Sequence, residues 1–235
     1  MNNNKIIGII GGMGPQASLA LYELLILRAQ KYYGANENHK YPEIIIDSVP
    51  VPDFISDQSK QEEAAVMLEK RVQQMNIMKA NFITISCNTA CILLDRLQKQ
   101  TTIPIISIID EVTSSIHSDH TPILLLASPT SLQLGLYQLT LARQGIPYIV
   151  PRNRDFREIE YLIRSVIQGK DKRMLEHKIV RLVERYRTTT NMKGLVLGCT
   201  ELPLIFPANY PLPSYNSLSI LADSLLKRYY KKEEL

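Results

Sequence analysis

Short, unbroken apolar runs alternate along the chain with longer segments whose apolar residues recur every three or four positions. Runs of the first kind, at residues 5–10, 43–47, 82–86, 103–109, 123–126, 148–150 and 195–197, predict buried strands. Segments of the second kind, at 17–33, 61–79, 89–98, 132–144, 156–167, 172–187 and 218–230, predict helices. Parallel strands need a long crossover between them, so strands separated by helices predict βαβ units with both sheet faces covered. The scheme is run through once and then repeated, with Gly145-Ile146-Pro147 and Gly194 marking helix-to-strand turns. The expected fold class is therefore α/β, with two pseudo-symmetric domains, each a mostly parallel sheet flanked by helices. No flexible linker separates them. Residues 114–121 and 207–213 are the best crossing points, which gives a first domain of 1–110 plus 208–235 and a second of 111–207.

Two of the strand runs end alike. Ile83-Thr84-Ile85-Ser86 stops at Cys87, followed by Asn88-Thr89-Ala90; Leu195-Val196-Leu197-Gly198 stops at Cys199, followed by Thr200-Glu201. Ligands of open α/β sheets bind beyond the carboxyl ends of strands. A thiol placed there faces helix N–H groups and the positive end of the helix dipole, which favour its thiolate. A single such cysteine is more often a small buried hydrophobe; the matched pair argues for a site where one cysteine from each half meets. Two thiols on opposite faces of a carbon acid can remove a proton from one side and return one from the other. The ordinary thiol pKa of about 8.5 suits that role. The polar neighbours Asn88, Thr89, Thr200 and Glu201 can hold a small zwitterion by its carboxylate and ammonium. Cys91, one helical turn beyond Cys87 and followed by Ile92-Leu93-Leu94, reads as a core residue.

Gly11-Gly12-Met13-Gly14-Pro15-Gln16-Ala17 follows a strand and opens a helix. Gly12-x-Gly14-x-x-Ala17 fits a dinucleotide fingerprint, but no acidic residue stands about 20 positions on. Pro15 also removes a main-chain donor from the turn. A loop that shapes a substrate pocket is the stronger reading, with a nucleotide site as the alternative.

Composition changes this picture little. The 235 residues are 45% hydrophobic and 21% charged with a net charge of +4, ordinary for a soluble globular chain. Basic residues are scattered except at Lys227-Arg228-Tyr229-Tyr230-Lys231-Lys232, which Glu233 and Glu234 partly offset, so nucleic acid is not an expected partner. The glycine-broken N-terminus is too short to span a bilayer and lacks a secretory signature. Three cysteines suit a reducing, cytoplasmic compartment, and no metal-ligand spacing accompanies them. His117 and His120 sit in a polar loop and read as solvated.

Gly11-Gly12-Met13-Gly14-Pro15, Cys87-Asn88-Thr89-Ala90 and Gly198-Cys199-Thr200-Glu201 together resemble the three signatures of the aspartate/glutamate racemases, in order and over nearly the whole chain. The second and third signatures also occur in hydantoin racemases and maleate isomerases, whereas the first tilts toward the aspartate racemase branch. The resemblance implies an active site between the two domains, a homodimer, and racemisation of a small amino acid without pyridoxal phosphate or any other cofactor. It implies that Cys87 and Cys199 are the acid/base pair and that Asn88, Thr89 and Thr200 hold the substrate's carboxylate or ammonium. Met13, Gly14 and Pro15 would line the pocket, and Ser131 would supply a hydroxyl from the second half.

Two positions depart from the family pattern. Phe54 stands after Pro52-Asp53 where an arginine is expected, and Ile167 aligns with an expected lysine. Each missing cation removes a charge-assisted partner worth roughly 1.5–3 kcal/mol to a distal carboxylate. Arg152, Arg154 and Lys170 are the candidates to replace them. The alternatives are therefore a racemase for a non-acidic amino acid and a non-catalytic small-molecule binder on the same scaffold.

Overall fold

The computed structural model describes residues 5–117 and 121–231, so His120 and the charged residues from Lys232 onward lie outside the described residues. The first half runs β1 (Ile6–Gly11), α1 (Pro15–Tyr33), β2 (Glu43–Ser48), α2 (Gln61–Ile77), β3 (Phe82–Ile85), α3 (Leu94–Gln98), β4 (Ile105–Ile106) and α4 (Ile108–Ser114). The second half runs β5 (Ile123–Ala127), α5 (Pro129–Gln133), α6 (Leu136–Arg143), β6 (Tyr148–Ile149), α7 (Phe156–Ile167), α8 (Lys172–Thr189), β7 (Gly194–Gly198), β8 (Ser214–Asn216) and α9 (Ser217–Tyr230).

The strands form two four-stranded parallel sheets, ordered β2-β1-β3-β4 and β6-β5-β7-β8. The second sheet repeats the first strand for strand. Cys87 follows β3 and Cys199 follows β7, so the two thiols occupy equivalent corners of equivalent sheets.

Three elements differ from the pattern-based expectation, each for a local reason. The 103–109 run shortens to β4, and its last isoleucines enter α4 instead. Ser107 caps that helix by accepting the Asp110 N–H at 3.2 Å, and Asp110 and Glu111 favour its positive end. The 132–144 segment breaks at Gly135, whose φ of +68° starts a second helix. The 89–98 segment opens as a tight 3-10 turn over Thr89–Leu93 before α3. In the 208–235 segment, β8 joins β7 in the second sheet, with Leu195 opposite Ser214, and α9 returns to pack on α1 and α4.

α9 is the main weld between the halves. Its Leu218, Leu221, Ala222, Leu225 and Leu226 are buried in a core shared with Ile7 and Ile9 of β1, Leu21 and Leu25 of α1, Ile109 and Val112 of α4, and the strands of the second sheet. Each fully buried leucine of this kind is worth about 1.5–3 kcal/mol. A smaller core behind the first sheet joins Ile10, Leu68, Val72, Met75, Ile83 and Ile85.

The loop after β1 is held close to the end of β2. Gly12 adopts φ +93°, and a Cβ there would lie 2.4 Å from the Val49 carbonyl oxygen. Gly34, past the end of α1, has φ +69°, but a Cβ there would meet nothing within 4 Å. Gly34→Ala should therefore cost only the left-handed backbone penalty of about 1–2 kcal/mol. Gly12→Ala should cost more, because strain adds to a main-chain clash. Urea unfolding of the two variants checks the order, which equal midpoints would contradict.

Candidate active site

A cavity of about 200 Å³ opens at the carboxyl ends of β1 and β3, where the first half meets the end of α7. Gly12, Met13, Gly14 and Pro15 form one wall, and Val51, Pro52, Asp53, Phe54 and Ile55, from the loop after β2, form another. Cys87 and Thr89 form its base, and Arg164, Ile167 and Gln168 close it from the second half.

Hydrogen bonds across the junction set this shape. Thr130 donates its hydroxyl to the Phe54 carbonyl and its N–H to that of Ile55, both at 2.9 Å, which fixes the 51–55 loop to the second half. Gln16 donates to the Ile167 carbonyl at 3.0 Å. On the first-half side, Ser18 accepts the Gly12 N–H at 3.0 Å and shares a 2.9 Å hydrogen bond with Ser86, joining the glycine loop to the end of β3.

Glu201 connects the cavity wall to the second thiol. Its Oε1 accepts the Gly14 N–H at 3.2 Å; its Oε2 accepts from the Cys199 Sγ at 3.0 Å and from the Thr200 hydroxyl at 3.1 Å. The carboxyl is almost wholly buried, and burial pushes its pKa up despite these donors. The thiols respond in kind. Burial, and then the nearby Glu201 carboxylate, push Cys87 up to about 12. The N–H groups of Ala90 and Thr89 and the Thr89 hydroxyl oppose this without overcoming it. Cys199 is held well above its ordinary value by burial, by the Glu201 charge and by its own bond to Glu201. The expectation that a helix N-terminus draws these thiols below 8.5 is thus reversed: both are buried, and only a short 3-10 turn follows Cys87. Desolvation of a charge outweighs a single turn of aligned N–H groups.

Of the residues singled out from sequence, Met13, Gly14, Pro15, Cys87 and Thr89 lie on the cavity wall. Cys199 and Thr200 lie behind it, bonded to Glu201. Asn88 is turned away: Tyr137 donates to its Oδ1 at 2.6 Å, and its amide reaches Ser217 at 3.5 Å. Ser131 sits one bond further back, accepting from Ser128, which is itself hydrogen-bonded to Thr89 at 2.8 Å. Gly198 makes room for the Tyr137 ring, since a Cβ there would lie 2.8 Å from Cε2.

Phe54 and Ile167 both line the cavity, as apolar surface. The proposed replacement cations do not. Arg152 and Arg154 line a separate hollow with Asp155, Arg185 and Tyr186, and the Lys170 Nζ lies 4.7 Å from the centroid of the Tyr161 ring. Among the described residues Arg164 is the cation at the cavity instead, and sequence reasoning missed it. It lies three residues before Ile167 on α7, a spacing that puts both on one helix face. Two main-chain donors of the glycine loop are also spent, Gly12 on Ser18 and Gly14 on Glu201, which counts against the nucleotide alternative.

Comparison with known proteins agrees with this architecture. The family model for Asp/Glu/hydantoin racemases matches residues 10–224. An aspartate racemase from Picrophilus torridus superposes with a TM-score of 0.83 at 26% identity, over 97% of this chain and 96% of that one. An aspartate racemase homologue from Pyrococcus horikoshii OT3 gives 0.79 at 28% identity, over 97% of this chain and all (100%) of that one. A broad-specificity amino-acid racemase of Bacillus subtilis is 23% identical over 226 residues, covering 95% of this chain and 98% of the relative. With two matched sheets, a cysteine at the same corner of each and a family match spanning most of its length, the chain belongs to the Asp/Glu/hydantoin racemase family and is an isomerase of the racemase type.

Proposed function

We propose that this racemase inverts the α-carbon of a small amino acid without a cofactor, using Cys87 and Cys199 as its two proton-transferring groups. The observation that carries the reading is their equivalent placement at the ends of β3 and β7, with Glu201 bonded to one thiol and to the wall of the cavity that holds the other. One thiolate takes the Cα proton and becomes a thiol. The electron pair left on Cα is delocalised into the substrate carboxylate, and the opposite thiol then delivers its proton to the other face. Thiol and thiolate have exchanged places, so the roles reverse for the other enantiomer.

Met13, Gly14, Pro15 and Thr89 touch the amino acid in this reading. Asn88, Ser131 and Thr200 act from behind through Tyr137, Ser128 and Glu201. Burial and the Glu201 charge hold both thiols neutral. A substrate ammonium offsets that charge and favours thiolate formation where it is needed. The same reading places the enzyme in the cytoplasm. None of the described helices is long and apolar enough to cross a membrane. It also makes the enzyme a homodimer, supported by the exposed Leu19, Tyr22 and Leu27 of α1 and Ile46 of the edge strand β2.

Cys87→Ser and Cys199→Ser should each lower kcat for racemisation by about 10²–10⁴-fold, the usual contribution of a positioned acid or base. Chiral chromatography reads the loss, and unchanged Cα deuterium exchange in heavy water in both variants would sink the two-thiol mechanism. Light scattering should give twice the chain mass; a monomer at all concentrations contradicts the dimer.

Glu201→Gln removes a negative charge that raises both thiol pKa values and an acceptor that holds the Cys199 proton. The sign is therefore downward: the thiolate absorbance near 240 nm should rise at lower pH than in the parent protein. An unchanged or upward-shifted titration contradicts the role given to Glu201.

A further inference from the structure

We infer that the cavity takes an amino acid with an uncharged, largely apolar side chain, and that Arg164 is a clasp on the cavity mouth and not a receptor for a substrate carboxylate. The inference rests on the racemase reading and names its substrate class.

Each of the three nitrogens of the Arg164 guanidinium already donates one hydrogen bond. Its Nε donates to the Glu160 Oε1 at 2.7 Å, its Nη1 to the Asp53 carboxylate and its Nη2 to the Ser56 hydroxyl at 3.2 Å. Ser56 in turn donates to the Glu160 Oε1 at 2.6 Å. Asp53 and Ser56 belong to the loop after β2, whereas Glu160 and Arg164 lie one turn apart on α7. The cluster thus fastens a first-half loop to a second-half helix at the rim of the cavity. Thr130 fastens the same loop from its other side.

Charge decides what such a cavity accepts. Asp53 and Glu160 outnumber the one guanidinium they share, and the buried Glu201 adds a third carboxyl behind Gly14. An incoming distal carboxylate would have to share Arg164 with two acids that already neutralise it. A charge taken out of water without a free partner is strongly disfavoured. Two nearby main-chain donors are already taken, since the N–H groups of Gly14 and Ile55 serve Glu201 and Asp53. The remaining surface is mostly apolar, from Met13, Pro15, Val51, Phe54 and Ile167, with Thr89 and Gln168 as its uncharged polar members. At about 200 Å³ the space is smaller than the roughly 300–1,000 Å³ of a drug-sized pocket and matches a single amino acid.

The test is a Cα deuterium-exchange screen of the intact protein in heavy water, with leucine, methionine, alanine, glutamine, lysine, aspartate and glutamate as single L-enantiomers. The best neutral amino acid should exchange at least ten times faster, by kcat/KM, than aspartate, glutamate or lysine. Aspartate, glutamate or lysine matching it would overturn the inference while leaving the racemase reading intact. Exchange with none of them would overturn the racemase reading. Calorimetric titration with leucine and aspartate then judges the side-chain class by itself: tighter leucine binding upholds it and equal or tighter aspartate binding overturns it. Arg164→Met separates clasp from receptor. A clasp predicts that kcat/KM falls by a similar factor for leucine and for aspartate; a fall confined to aspartate would make Arg164 the receptor.

Discussion

The buried carboxylate of Glu201 is the constraint around which the site is built. It lies between a main-chain N–H of the first half, at Gly14, and the thiol and hydroxyl of the second, at Cys199 and Thr200. Hydrogen bonds to a charged group are each worth about 1.5–3 kcal/mol, and a buried charge that lost them would cost several. The cavity wall and the second cysteine are therefore held in register by one side chain. Gly14 leaves little room for a side chain here: a Cβ would lie 3.1 Å from Ile167 and 3.3 Å from Glu201. The approach of the two halves and the electrostatics of the thiols are consequences of the same contact.

Symmetry supplies the frame and local chemistry breaks it. β3 and β7 end in the same way, and α4 and α9, which follow the last strand of each sheet, pack against one another. The residues after the cysteines differ. Asn88 spends its amide on Tyr137 and Ser217, binding the halves together behind the site. Glu201, on the other side, faces the cavity through Gly14. One thiol is exposed to the cavity over a polar turn, while the other is screened by a carboxylate. The two thiols thus meet different environments on a nearly repeated scaffold.

Much of this was legible in the sequence because it depends on local patterns. Strand ends, the glycine loop and the cysteine pair follow from apolar runs and turn chemistry, and the repeated order of elements follows from their alternation. What escaped was decided by contacts between distant residues. α4 was hidden because Ile108 and Ile109 continue the apolar run of β4, and only the Ser107 cap separates them. Arg164 was hidden because its importance comes from Asp53 and Ser56, more than a hundred positions away. The thiol pKa values were misjudged for a related reason. Sequence shows the turn that follows Cys87 but not the depth at which the thiol is buried.

That depth has a consequence for how the enzyme works. A thiol exposed at a helix N-terminus would be ionised in the resting protein and open to oxidation or alkylation. A thiol kept neutral by burial and by a nearby carboxylate is inert until a cation arrives. The ammonium group of an amino acid is such a cation, and it enters together with the acidic α-hydrogen to be removed. In the proposed mechanism, substrate binding therefore creates the base that acts on the substrate. A side-chain carboxylate entering the same cavity would oppose that effect, by returning the negative charge that the ammonium had offset. Thiol activation and the apolar, acid-rimmed character of the cavity therefore favour the same class of ligand.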